Sequence, residues 1–284
     1  MSELMKQTEQ GKVRRILLRV AYDGTAYHGW QLQPREASIE GVLNEALYLL
    51  TGEKIQVIGA SRTDAGVHAL GNVAVFDTVS RIPAEKFSYA LNQRLPDDIV
   101  VQASCEVEED FHPRHRKCCK TYEYQVLNRR FPLPEYRNTA HFEYGALDLE
   151  SMKRACSFFV GRHDFAAFCA AGAQVQSTVR MIYSLMVTAT PLEFLQFDES
   201  NSTENTYQEQ LIKIRVLGDG FLYNMVRIIA GTILEVGKGN IKPEEVAGII
   251  ASRNREHAGP TAPAKGLTLV KIEYGTDLSK SQGN

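Results

Sequence analysis

The sequence has little of what secreted, zinc-binding or membrane proteins need. Its five cysteines form no CxxC pair and no Cys/His spacing typical of a zinc site, so we expect reduced, buried thiols and no bound metal. The N-terminal residues have no apolar core and no cleavage signature of a secretory signal. No stretch reaches the roughly 18 apolar residues of a membrane-spanning helix. We therefore expect a cytoplasmic protein without a membrane partner.

Net charge is also small, but charge is unevenly distributed. A formal net charge of -2 does not by itself indicate a nucleic-acid partner. Residues 114–130, however, carry six Lys or Arg side chains against one acid, whereas residues 192–210 hold five acids and no Lys or Arg. The basic segment is interleaved with aromatic residues, which suits a phosphate backbone and unstacked bases; a solvated charged face is the alternative. Its candidate substrate contacts are Arg114, Lys117 and Lys120.

Hydrophobic periodicity predicts secondary structure in the first part of the chain. It indicates a strand at 13–22, a helix from Ser38 to about Gly52, strands near 55–58 and 73–76, a helix at 83–95 and a strand at 99–103. This order of strand, helix, strand, strand, helix and strand suits a ferredoxin-like unit, in which helices cover one face of an antiparallel sheet. The acidic residues 106–110 are a predicted linker.

The second part has a similar order. We predict a strand in which Tyr122, Tyr124 and Val126 share one face, a helix at 149–160 capped by Asp148, and two pairing strands at 181–190 and 211–216. Further predictions are a mobile loop at 169–177, a solvated acidic segment at 192–210, a buried helix at 221–235, a helix at 243–252 and a closing strand that ends at 274.

The predicted fold class is therefore α+β. We expect two ferredoxin-like halves in a pseudo-twofold arrangement, with a largely antiparallel sheet and a central cleft. The predicted domains are residues 13–108 and 109–276, and residues 1–12 and 277–284 are expected to be disordered tails. The length of 284 residues suffices for two domains of this size.

One short segment concentrates polar chemistry. Residues 59–69 have the sequence Gly-Ala-Ser-Arg-Thr-Asp-Ala-Gly-Val-His-Ala and fall on a loop between two predicted strands. Arg62 and Asp64 are two residues apart and so point the same way in an extended segment. His68 follows shortly after and is a further candidate substrate contact. Gly66 permits a tight turn beside Asp64. Asp-Ala-Gly alone would indicate a structural turn, but the added charges favour a functional loop on a rigid sheet.

This segment resembles the active-site motif of the tRNA pseudouridine synthase A (TruA) family, and the resemblance extends over about residues 14–274. It implies that Asp64 is the catalytic nucleophile and that Arg62 takes the place of the flipped base. It also implies a homodimer without a cofactor, whose substrate is the tRNA anticodon stem-loop at uridines 38 to 40. Ser61 departs from the commonest family pattern, which has glycine at that position.

The resemblance implies roles for further residues. Tyr122 matches the tyrosine whose ring packs against the target base; a core aromatic is the alternative. Arg227 ends the apolar run Phe-Leu-Tyr-Asn-Met-Val-Arg, where a guanidinium group needs a carboxylate or several other acceptors. The family pairs this arginine with the catalytic aspartate, Asp64, whereas another acid or backbone carbonyls are the alternative. Leu267 or Leu269 matches an apolar residue that lines the base pocket.

The chemistry is consistent with a single carboxylate. Isomerisation of uridine breaks the bond from C1′ to N1 and forms one from C1′ to C5, and the sequence leaves open whether Asp64 attacks C1′ or C6. A glycoside hydrolase normally uses a second acid. Our leading hypothesis is a tRNA pseudouridine synthase. The alternatives are a paralogue that acts on ribosomal RNA, a non-catalytic RNA-binding protein and a nucleoside hydrolase.

Overall fold

The computed structural model describes residues 12–172, 175–192 and 209–275. Within this part the chain forms two compact units: unit 1 comprises residues 12–117 with 274–275, and unit 2 comprises the described residues of 118–273. The predicted tails, except Lys12, lie outside the described residues. So do residues 193–208 of the predicted acidic segment and residues 173–174 of the predicted loop.

Unit 1 has the predicted element order. Its elements are β1 (Arg14–Tyr22), α1 (Ile39–Thr51), β2 (Ile58–Gly59), β3 (His68–Thr78), α2 (Phe87–Asn92) and β4 (Ile99–Val107). Strand β1 lies between β4 and β3, β2 pairs with β3, and all three pairings are antiparallel. This is the ferredoxin-like order of strands.

Local sequence explains the boundaries of α1. The Ser38 hydroxyl accepts a hydrogen bond from the amide of Gly41, and Gly52 ends the helix in the left-handed conformation that a Cβ would disfavour. Two strands are longer than predicted. Strand β3 begins at His68, inside the motif, and β4 continues to Val107, so the predicted linker starts within a strand.

Unit 2 repeats this topology with additions. Its elements are β5 (Cys118–Asn128), β6 (His141–Glu143), α3 (Leu149–Phe159), β7 (Gly161–Asp164), β8 (Val179–Pro191), β9 (Gln210–Gly218), α4 (Met225–Gly237), α5 (Glu245–Ser252) and β10 (Leu267–Tyr274). The strands follow the order β10, β5, β9, β8 and β7, and β6 joins β5 in parallel. Strands β8 and β9 pair antiparallel, as predicted. The α+β class is confirmed.

The helices of unit 2 have recognisable ends. The Asp148 carboxylate caps α3 by accepting from Ser151. Hydrogen bonds from the hydroxyl and the amide of Ser151 hold the pKa of the Asp148 carboxyl below its ordinary value of 3.8. Helix α4 is buried along most of its length, as predicted, but begins at Met225 because Asn224 has a left-handed φ of 57°.

Two further sequence predictions can be compared with the described residues. No helix among the described residues is long and apolar enough to cross a membrane. All five cysteines are free, but the prediction that they are buried is confirmed only for Cys119 and Cys156. Cys118 and Cys169 are half-buried, and Cys105 is exposed near the end of strand β4.

Candidate active site

The loop between β2 and β3 presents alternate residues outward. Ser61 and Thr63 are buried, whereas Arg62 is exposed and Asp64 is half-buried. Such alternation is typical of an extended segment, in which residues two apart share a direction. Arg62 and Asp64 therefore lie on the outer side of the loop, as their spacing predicts.

A tight turn follows Asp64. The Asp64 carbonyl accepts a hydrogen bond from the amide of Val67 at 3.1 Å, and Gly66 has a φ of +75°. A positive φ at the third position of such a turn favours glycine. The Gly66 amide also donates to the Tyr27 carbonyl at 3.2 Å, which fixes the turn to the segment after β1.

Hydrogen bonds from the interior of unit 1 hold the buried side of the loop. The Thr63 hydroxyl lies 2.7 Å from the Tyr22 hydroxyl, and the Thr63 carbonyl accepts from the Trp30 amide at 3.0 Å. The Ser61 carbonyl accepts from the Asn72 side-chain amide at 3.0 Å. Ser61 is the residue that departs from the family pattern, and its backbone is fixed by this hydrogen bond from Asn72.

Two glycines allow the chain to pack closely around this loop. Gly29 has a φ of +88°, and a Cβ there would lie 2.5 Å from the Thr63 carbonyl oxygen. A Cβ on Gly59 would lie 2.3 Å from the indole of Trp30, which is 2% exposed. Trp30 is therefore a core residue. Any side chain at Gly29 would displace the loop, and any side chain at Gly59 would displace the indole of Trp30.

His68 lies in the interior of unit 1 and is 6% exposed. Its Nδ1 atom is 3.1 Å from the Gly24 amide nitrogen and 3.1 Å from a carboxylate oxygen of Asp23. Nδ1 can accept from Gly24 only without a proton and can donate to Asp23 only with one, so the two interactions are alternatives. Burial raises the pKa of Asp23, but hydrogen bonds from Thr25 and the nearby His68 outweigh burial and lower it.

The basic side chains of this segment differ in exposure and in pairing. Arg114 and Lys117 are exposed, and Lys120 is half-buried in β5. Arg116, by contrast, forms ion pairs of 2.6 Å with Glu108 and 3.0 Å with Asp110. Charge at Arg116 is thus compensated by the protein itself, which the sequence run of basic residues did not reveal.

Arg129, at the other end of that run, is also not a surface charge. It is 6% exposed, and its guanidinium group lies 2.9 Å from the Glu209 carboxylate. The predicted phosphate contacts Arg114, Lys117 and Lys120 are all more exposed than Arg129.

Tyr122 lies in β5 opposite Val216 of β9 and is 7% exposed. Its ring meets the Phe221 ring edge to face, with centroids 5.2 Å apart. Tyr124 and Val126 are buried on the same face of β5, as the alternation predicts. This burial fits a core aromatic and also a rigidly held ring, so its role at the base stays a prediction.

Arg227 lies in the first turn of α4, where two acceptors orient its guanidinium group. Nε donates to the Ala262 carbonyl and a terminal nitrogen donates to the Asn224 side-chain oxygen, each at 2.8 Å. Ala262 in turn donates its amide to the Arg227 carbonyl at 3.1 Å. Asn224 was missed from the sequence, although a polar residue three positions before a helical arginine is a signal that could have found it. The pairing with Asp64 stays a prediction.

The apolar candidates are in the interior at the start of β10. Leu267 is 5% exposed and Leu269 is fully buried. Nearby, burial raises the pKa of Tyr124, and the neighbouring positive charge of Arg227 opposes this shift. Among the described residues, no group of three or more His, Cys, Asp or Glu side chains is arranged to hold a metal ion.

Comparison with known proteins identifies the family of the chain. A family model described as tRNA pseudouridine synthase matches residues 19–115 and 155–275. The chain is 47% identical over 262 residues to a tRNA pseudouridine synthase A of Acetivibrio thermocellus, an alignment that covers 92% of this chain and 100% of that protein. It is 47% identical over 263 residues to one of a Thermoanaerobacter species, with the same coverage. A tRNA pseudouridine synthase A 2 of Clostridium perfringens is 45% identical over 262 residues.

The chain belongs to the tRNA pseudouridine synthase family. The predicted resemblance and the predicted enzyme class are thereby confirmed: the reaction is the isomerisation of uridine to pseudouridine in tRNA.

Proposed function

We propose that the protein isomerises uridines 38 to 40 of the tRNA anticodon stem-loop, with Asp64 as the nucleophile. The observation that carries this proposal is the outward placement of Arg62 and Asp64 on a loop whose intervening residue, Thr63, is held from the interior. Extrusion of a stem base costs a few kcal/mol of unstacking. In our proposal Arg62 fills the vacated space while Asp64 reacts with the extruded nucleotide.

The reaction needs no external electron donor or acceptor. The C1′–N1 bond breaks and a C1′–C5 bond forms, and the hydrogen displaced from C5 is lost as a proton while N1 gains one. A carboxylate can attack C1′ after glycosidic cleavage or add to C6 of the ring, and both routes require Asp64 to be ionised. We propose that Arg227 pairs with this carboxylate, since a nearby guanidinium group favours the ionised form.

Other side chains bind the substrate in this proposal. The Tyr122 ring packs against the extruded uracil, and Leu267 lines the apolar side of the base pocket. Arg114, Lys117 and Lys120 contact phosphates, and His68 is a further substrate contact beside Asp64. We further propose a cytoplasmic homodimer that works without a cofactor or metal.

The test is conversion of unmodified tRNA transcripts by the purified protein, followed by chemical mapping of pseudouridine. We expect product in the anticodon stem-loop that disappears with Asp64→Asn, which preserves the shape of the side chain but removes its charge. Asp77→Asn is the matched control, because Asp77 is a carboxylate of β3 that pairs with Arg15 at 2.7 Å. It should retain activity.

The same experiment separates the alternatives. Conversion of ribosomal RNA but not of tRNA would identify the paralogue and refute the proposed substrate. Binding of tRNA without any product would indicate a non-catalytic binding protein, and release of free uracil would indicate a hydrolase. Appreciable activity of Asp64→Asn would refute the nucleophile assignment alone.

A further inference from the structure

A buried chain of side-chain hydrogen bonds lies directly beneath Arg62 and Asp64. It consists of Tyr22 near the end of β1, Asn72 in β3 and Thr63 in the loop, which are respectively 5%, 0% and 7% exposed. The Asn72 side-chain amide donates to the Tyr22 hydroxyl at 3.2 Å, and the Tyr22 hydroxyl lies 2.7 Å from the Thr63 hydroxyl. These contacts join the rigid sheet to the middle of the loop.

The orientation of the Asn72 amide in this chain is fixed by its acceptors and its donor. Asn72 also donates to the Ser61 carbonyl at 3.0 Å, while its side-chain oxygen accepts from the Val73 amide at 2.9 Å. Only one orientation of an amide side chain satisfies both contacts. The Tyr22 hydroxyl therefore accepts from Asn72, and in its hydrogen bond with the Thr63 hydroxyl either oxygen can be the donor.

An irregularity in the sheet brings these residues together. The register of β1 with β3 pairs Val20 with Asn72 but Tyr22 with Ala69, so β3 contains one extra residue at this point. Such bulges redirect side chains and occur frequently next to active sites. Here the bulge lies where the sheet supports the loop.

The two anchored residues alternate with the two proposed functional ones. Ser61 is held through its carbonyl and Thr63 through both its hydroxyl and its carbonyl, and these residues flank Arg62 and precede Asp64. Fixing the backbone on both sides of Arg62 restricts where both outward side chains can point. Catalysis by positioned groups depends on such restriction, since a displacement of about 1 Å can cost on the order of 100-fold in rate.

We propose that Tyr22, Asn72 and Thr63 form a positioning network for the reaction, which holds Arg62 and Asp64 in their productive geometry. None of the three touches the substrate in this account. The inference rests on the proposed function, because it takes Asp64 as the nucleophile and Arg62 as the base-flipping residue.

The experiment removes single hydroxyl groups with little change in shape. Tyr22→Phe keeps the ring that packs beside Trp30, with centroids 6.1 Å apart, and Thr63→Val is nearly isosteric. We expect each variant to lower the single-turnover rate at saturating protein by about 10-fold or more, with tRNA affinity changed less than about 2-fold. The double variant should lose little more than either single variant, since both changes break the same contact.

Two further variants distinguish positioning from general stability. Thr63→Ser keeps the hydroxyl and should restore most of the rate. Thr78→Val is the matched control, because Thr78 is another buried threonine of unit 1 whose hydroxyl donates to Glu53 at 2.6 Å, at the far end of β3. It should lose stability but not rate, when all rates are measured well below the unfolding midpoints.

The outcomes separate this inference from the proposed function. Wild-type protein that makes no pseudouridine in tRNA would refute the proposed function. Active wild-type protein with fully active Tyr22→Phe and Thr63→Val variants would refute the network alone, and so would a rate loss in Thr78→Val as large as in Thr63→Val.

Discussion

Replacement of Gly29 by alanine should displace the loop that presents Asp64. Gly29 has a φ of +88°, and its new Cβ would lie 2.5 Å from the Thr63 carbonyl oxygen and 3.1 Å from the Asp64 carbonyl carbon. Real Cβ contacts essentially never fall below 3.0 Å, so one of the two segments must move by about half an ångström. Neither neighbour is a flexible side chain, and the movement therefore falls on backbone.

This movement has two separable costs. The strain of a positive φ costs about 1–3 kcal/mol of stability. Displacement of the backbone at Thr63 and Asp64 should in addition lower the rate of isomerisation, by about 10-fold if the loop absorbs most of the movement. The rate is best measured in single turnover with unmodified tRNA at saturating protein, so that product release does not mask the chemical step.

Gly52→Ala is the matched control. Gly52 has a φ of +74° at the end of α1, but a Cβ there would meet nothing within 4 Å. It should therefore lose stability through backbone strain and keep the wild-type rate. A wild-type rate in Gly29→Ala, or an equal loss of rate in both variants, would refute the idea that close packing of Gly29 sets the position of the loop.

Three further changes give independent tests. Arg227→Lys should lower the single-turnover rate by about 10-fold or more, because one ammonium group cannot reproduce the two oriented contacts of the guanidinium group; an unchanged rate would argue against an oriented arginine. Asp148→Ala should cost about 1 kcal/mol near neutral pH in urea unfolding. The pKa of Asp148 is lower in the folded protein than its unfolded value of 3.8, so its contribution to stability is full above pH 3.8 and is lost as pH falls through the folded pKa. The difference in unfolding free energy between wild type and Asp148→Ala should therefore shrink in acid. A difference that stays constant with pH would contradict this. Arg114→Ala combined with Lys117→Ala should make the plot of the logarithm of the tRNA binding constant against the logarithm of the salt concentration less steep, by roughly one to two units of slope. Arg116→Ala removes a charge that is already paired and should leave this slope unchanged.

Much of the fold follows from local signals that are visible in the sequence. Alternating apolar residues in β1 and helical spacing in α1 are periodic over whole elements, and the Ser38 cap marks a boundary with a side chain of its own. The predicted start of α4, at residue 221, is too early because the prediction relied on the same periodicity. Phe221 continues the apolar pattern of that helix, but the left-handed conformation of Asn224 interrupts it, and no periodicity reports a single backbone angle.

The outward side of the candidate site was predictable in the same way. The spacing of Arg62 and Asp64 predicts a shared direction, and the structure shows both on the outer side of the loop. Compensation of Arg116 was not predictable, because its partners Glu108 and Asp110 belong to a stretch that the sequence marked only as an acidic linker. A run of like charges shows where charge is, but not which part of it the protein neutralises.

The inner side of the site depends on contacts between distant residues, and here a sequence signal was present but unused. Asn72 stands at the head of the apolar run Val-Ala-Val-Phe in β3, where an uncompensated amide would be costly to bury. The same argument predicts a partner for Arg227 in the apolar α4, and it applies equally to Asn72. What no local pattern could supply is the partner: Tyr22 precedes Asn72 by 50 residues, and a one-residue bulge is needed to bring the two together. A buried polar residue in an apolar element therefore predicts that a partner exists, and only the register of the sheet identifies which residue it is.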